Sequence, residues 1–149
     1  MREKIIVAIL SMAFLLYPMA AIAQPDYNPT YDEMVAAADN LVQFDDLWQV
    51  SFEGPSIMYP SRDYEGKPPL TGTATKVYED GRKTITEFKD GRGNGLTILW
   101  HANGQKAMQG TLVNGELEGI MYKWSEAGNL VGETSYKAGQ IEEGTGAAE

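Results

Sequence analysis

The 149-residue sequence has no cysteine, a single histidine and no cluster of lysine or arginine. Without thiols there is no disulfide to brace the fold, no thiolate metal site, no thiol nucleophile and no cysteine to carry a lipid. Stability must come from packing and sheet hydrogen bonds. The lone His101 stands beside the Ala102-Asn103-Gly104 segment with no Ser or Cys placed as a nucleophile. It reads as a solvated turn residue rather than a general base or metal ligand. Lacking a basic patch to displace counterions, the chain is not expected to bind nucleic acid or anionic lipid headgroups.

Long apolar runs are also scarce, with one exception. In "MREKIIVAILSMAFLLYPMAAIA", Arg2 and Lys4 precede an apolar stretch, a Pro18 break and an Ala21-Ile22-Ala23 ending. That order is the signature of a secretory signal peptide over residues 1–23, with cleavage expected between Ala23 and Gln24. The alternative is an uncleaved anchor, which would be the chain's only membrane attachment. The expected location is periplasmic or secreted.

The formal charge of −9 is unevenly spread. Residues 24–71 hold two basic and nine acidic side chains, residues 72–141 hold eight of each, and residues 142–149 add three acidic ones. A neutral middle lies between acidic ends. The last segment, "EEGTGAAE", lacks bulky apolar residues and is expected to be disordered.

Residues 24–71 form an acidic helix and connecting segment. Thr30 and Glu33 fit a capping box, and Met34, Ala37, Ala38 and Leu41 recur at helical spacing. One short amphipathic helix over about Tyr31 to Val42 is predicted, as a cover for the following sheet rather than a partner-binding element. Leu47 to Phe52 and Ile57 to Tyr59 read as short strands around a Gly54-Pro55 turn, before prolines preclude regular structure up to Leu70.

From Gly72 a repeat emerges. Gly72, Gly95 and Gly119 align; five residues later stand Val77, Trp100 and Trp124, then Gly81, Gly104 and Gly128. Each unit continues to Phe88, Leu112 or Tyr136 and closes on Gly91, Gly115 or Gly139. A fixed spacing of this length signals stacked supersecondary units. Leu96, Ile98 and Trp100 alternate, as do Ile120, Tyr122 and Trp124, and the Asp80-Gly81, Asp90-Gly91, Asn103-Gly104 and Asn114-Gly115 pairs suit tight turns with positive φ. The prediction is a mainly β protein: an antiparallel β-hairpin repeat meander over 72–141, with strands near 73–78, 83–89, 96–101, 106–113, 120–125 and 131–136.

This frame, G-x4-W-x3-G followed by a bulky residue and another glycine and preceded by "PPLTG", resembles the MORN-repeat-variant family of bacteria, many members of which are described as antitoxin-like. The resemblance covers residues 68–141. It implies a non-enzymatic sheet of hairpins that engages another protein, with the glycines at 81, 91, 104, 115, 128 and 139 at the family's turn positions. Standard MORN repeats begin Y-x-G-x-W, a pattern absent here, so lipid binding is not carried over. Behind a signal peptide, the partner should lie outside the cytoplasm.

Reactive constellations are missing elsewhere. "GRGNG" at 91–95 precedes an alternating strand pattern rather than a helix, so it reads as a turn with a bulge, not a phosphate loop. Asp45-Asp46 and Glu142-Glu143 lack the spacing of calcium loops. No catalytic, cofactor or metal site is expected; a hydrolase would need a carboxylate pair that no spacing singles out. Trp100, Tyr122, Trp124 and Tyr136 are the candidate face, either core or an open row. The expectation is an exported, monomeric protein-binding module, antitoxin- or scaffold-like, acting through a sheet face or an edge strand. The alternative is a carbohydrate or cell-wall binder using the aromatic row.

Overall fold

Two kinds of turn build the sheet. At Gly81, Gly104 and Gly128 the same pair of backbone bonds recurs: Tyr78, His101 and Ser125 each donate to the carbonyl four residues on, and the glycine donates back to that first residue. Only the glycine has positive φ in these turns, between 82° and 85°. The second kind is a two-residue turn in which both central residues are left-handed: Asp90-Gly91, Asn114-Gly115 and Ala138-Gly139. The sequence reading expected positive φ at Asp80 and Asn103 as well. Those turns are one class longer, and the aspartate and asparagine instead cap the loop, accepting from Arg82 N and Gln105 N.

The computed structural model describes residues 25–38, 40–50 and 57–142. The signal segment with its Ala23-Gln24 boundary, the Gly54-Pro55 turn and the tail from residue 143 lie outside the described residues. Strand β1 is Leu41–Gln43, β2 Trp48–Val50, β3 Ile57–Tyr59, β4 Gly72–Val77, β5 Lys83–Lys89, β6 Arg92–Trp100, β7 Lys106–Val113, β8 Glu116–Trp124, β9 Leu130–Lys137 and β10 Gln140–Ile141. An eight-stranded sheet runs in the order β1-β4-β5-β6-β7-β8-β9-β10, antiparallel from β4 onward; β2 and β3 form a separate antiparallel pair. The predicted six-strand meander is β4 to β9. The bulge expected within 91–95 is a register shift opposite Glu87, between Thr86 and Phe88.

Helix α1, Tyr31–Ala37, carries the predicted capping box: the Thr30 hydroxyl accepts from Glu33 N, and the Glu33 carboxylate accepts from Thr30 N. It stops five residues short of the predicted Val42. Asn40 is left-handed, at φ 51°, and Leu41–Gln43 then pairs in parallel with Thr73–Thr75, so sheet pairing replaces the last helical turns.

Each sheet face has its own cover. On the helix face, Met34 packs with Ile85, Leu96, Ile98 and Trp100, flanked by Tyr27, Tyr31 and Val35. On the opposite, hairpin face, Leu70, Ala74 and Phe88 pack under Val42, Phe44, Leu47 and Met58. Both cores sit over the first strands of the meander. Burying a large apolar side chain in either is worth about 1.5–3 kcal/mol.

Candidate binding surfaces

Register decides what became of the aromatic row. Val77 pairs with Lys83 and Lys83 with Trp100, so the Val77, Trp100 and Trp124 positions run along the helix face. They do not form an open platform. Val77 is 53% exposed, Trp100 is 1% exposed, and Trp124 is half-buried. The indole N–H of Trp100 donates to Pro29 O at 3.2 Å, and Tyr31 meets the ring edge-on at 5.6 Å. Tyr122 is buried beside Trp124, with ring centres 5.9 Å apart.

Tyr136 departs from the group in which the sequence placed it. Ser135 pairs with Ile120, and Ile120 shares a face with Tyr122; Tyr136 pairs with Gly119 and therefore points to the hairpin face. The other members of its repeat position, Phe88 and Leu112, lie on that face too. The repeat thus makes two rows, one on each side of the sheet.

Beyond the hairpin core, the hairpin face continues without a cover among the described residues. Met108, Leu112, Leu117, Met121 and Tyr136 are half-buried and belong to neither core cluster. Their shared side follows from the pairing of Leu112 with Leu117, of Met108 with Lys123 and of Met121 with Thr134. Gly110 and Gly132 leave a shallow floor between them; a Cβ on Gly110 would lie 3.4 Å from Leu117 and 3.7 Å from Met121. Where this area meets the core, a groove of about 430 Å³ opens between Phe44 and Met58 on one wall and Phe88, Gly93 and Leu112 on the other. Arg92 and Glu116 stand at its border.

The sheet edge offers less. Among the described residues, β10 pairs with Tyr136 and Lys137, and on the side of β9 away from β8 no strand lies along Leu130 to Thr134. That short edge carries exposed Leu130 and Val131, but a bulge at Val131 and the exposed Glu133 blunt it as a template for another strand.

Two ionisable groups sit under the N-terminal segment on the helix face. The Lys106 ammonium, in a residue only 4% exposed, donates to the carbonyls of Tyr27 and Pro25 and to Gln109 Oε1, and lies 4.1 Å from the centre of the Trp124 ring. Burial pushes it down to about 8, with Asp26 pulling the other way. The Glu87 carboxyl is driven up to about 7 by burial, against one hydrogen bond from Leu96 N at 2.7 Å. Burial, and then Glu87 and Glu33, raise the Tyr27 phenol as well. Composition gave no sign of either group; both follow from the way residues 25–38 cross the sheet.

His101, expected to be solvated, is half-buried, with Nε2 3.0 Å from Trp124 O, and Asn103 donates to Glu126 O at 2.8 Å. Both residues tie the Gly104 turn to the Gly128 turn. Asp45, half of one acidic pair, is bonded to Lys76 at 2.6 Å. No group of three or more His, Cys, Asp or Glu residues that could hold a metal occurs among the described residues. No family model, curated protein or solved structure matches the chain.

Proposed function

We propose that this chain is an exported, non-enzymatic β-hairpin repeat module that binds a protein partner through the uncovered part of its hairpin face. One observation carries the reading: Met108, Leu112, Leu117, Met121 and Tyr136 sit together on the part of the hairpin face beyond its core, which no segment among the described residues covers. An antiparallel sheet with a solvated side ordinarily alternates to polar residues there. Contiguous apolar surface of this kind marks an interaction site, and methionine adapts its shape to a partner.

The in-strand glycines agree with close approach by another chain. The signal-peptide pattern of residues 1–23 puts the partner outside the cytoplasm. The MORN-variant resemblance of residues 68–141 suggests an antitoxin-like or scaffold role for it. A blunted edge makes the face the preferred route over strand addition.

The test pairs capture with substitution. The folded protein, and a Leu117→Glu, Met121→Glu variant, are used as baits against envelope and secreted fractions and run alone by light scattering. A partner retained by the parent and lost by the variant is the expected result. Equal retention by both, or no partner above background, overturns the reading; self-association that the variant abolishes would make the partner a second copy.

A further inference from the structure

The hairpin face beyond its core has the dimensions of one helix. Its apolar residues come from three adjacent strands: Met108 and Leu112 on β7, Leu117 and Met121 on β8, and Tyr136 on β9. Three strands span about 10 Å, close to the width of an α-helix. From Leu117 to Lys123 the strand runs about 20 Å, the length of a helix of about 14 residues. Gly110 and Gly132 put no side chain into this strip, and the groove beside Phe44 and Met58 bounds it toward the core.

The backbone excludes an extended occupant. Strands β7 and β8 are paired along both edges, so their amides and carbonyls are used within the sheet and the strip presents side chains. A segment lying on it must satisfy its own N–H and C=O groups, because burying them unpaired against methionine and leucine is costly. A single helix does so internally; a single strand does not. Both covers that this chain already has obey the same rule, α1 on one face and the β2–β3 pair on the other.

Charge gives the sign of the partner. On this side β7, β8 and β9 turn out one charged residue, Lys123, which pairs with Met108 and Gly132 and so shares their face. It is exposed, and its ammonium has no ion pair or hydrogen bond among the described residues. At the other end Arg92 and Glu116 both border the groove, so the charges there offset each other. A second copy of this chain offers no free helix among the described residues, because the apolar side of α1 is committed to Ile85 and Trp100. Resting on the protein-binding reading of this face, we propose that its occupant is one amphipathic α-helix of a partner protein, about 14 residues long and lying along β7–β9, with an acidic residue at the Lys123 end.

The experiment follows the Met108 and Met121 methyl resonances of the folded protein, assigned with Met108→Leu and Met121→Leu, while three capped peptides of about 14 residues are added separately. One has leucine at helical spacing and glutamate at its ends and outer side; the second has lysine for each glutamate; the third reorders the first to alternate apolar and polar residues. The acidic helical peptide should shift both methyls saturably and gain helical circular dichroism. The lysine peptide should bind at least about threefold more weakly at low salt. Lys123→Glu changes an exposed side chain, so it should keep the thermal midpoint while reversing that order. No shift with the acidic peptide at about 1 mM, equal binding of the alternating peptide, or an order unchanged in Lys123→Glu overturns the proposal. A captured partner that the Leu117→Glu, Met121→Glu variant loses would still uphold the protein-binding reading in each of those cases, so the two fail separately.

Discussion

The indole nitrogen of Trp100 and the carbonyl oxygen of Pro29, 71 residues apart in the chain, lie 3.2 Å apart. This bond closes the N-terminal segment over the sheet and makes Trp100 a core residue. Truncating Trp100 to alanine should cost about 3–5 kcal/mol. Trp100→Phe should keep much of the packing but leave the carbonyl without its donor, a loss of about 1–3 kcal/mol. Urea unfolding of both variants measures this, and a Trp100→Ala loss below that of Trp100→Phe would contradict the burial.

Thr30→Ala removes one side of the capping box in the same segment, at a cost of about 0.5–2 kcal/mol. Because α1 lies over Trp100 and Ile85, the effect should appear as local opening. Faster amide exchange in α1, with the inner strands β6 and β7 unchanged, is the expected pattern.

The raised Glu87 carboxyl has a signed consequence. Its folded-state pKa of about 7 lies above the ordinary 4.5, so the folded chain binds a proton before the unfolded chain does as pH falls. Stability from this group is fully present below about 4.5 and is lost as pH rises through 7. Across the window the effect is at most about 3 kcal/mol. Glu87→Gln can still accept from Leu96 N; it should be more stable than the parent at pH 8, with a flatter profile between pH 5 and 7. A variant less stable than the parent at pH 8 would refute the assignment.

Two turn glycines should differ sharply. A Cβ on Gly91 would meet Ile57 Cγ2 at 2.3 Å and Met58 O at 2.8 Å, beneath β3, whereas one on Gly115 would meet nothing within 4 Å. Both residues have positive φ, so Gly115→Ala should cost about 1–2 kcal/mol from backbone strain alone. Gly91→Ala adds overpacking of about 1–3 kcal/mol. Thermal unfolding of the pair checks the order.

The hairpins were legible because their causes are local. Glycine at the positive-φ position of a turn, alternation of side chains along a strand and a capping box over three residues all act within a few residues of sequence. Six strands and the helix start therefore lie where the pattern put them, although β6 and β8 begin at Arg92 and Glu116, ahead of the expected 96 and 120. Even so, Ala138-Gly139 makes the same two-residue turn as Asn114-Gly115 without the usual residue at its first position, since pairing of the flanking strands fixes it.

Side and cover were not legible. Spacing grouped Tyr136 with Trp124, but register, set by the turns and by the bulge at Val131, put it on the other side of the sheet. Leu41 fitted the helical period and was taken by a parallel pairing with Thr73, whose partner is 32 residues away. Nothing in the local pattern marks Lys106 as buried; Pro25 and Tyr27 cross above it and accept from its ammonium. The sequence by itself determined the hairpins and their repeat, because turn and strand preferences are properties of neighbouring residues. Only the tertiary structure decided which tryptophan is core, which face stays open and which charges are buried, because those depend on what distant segments cover.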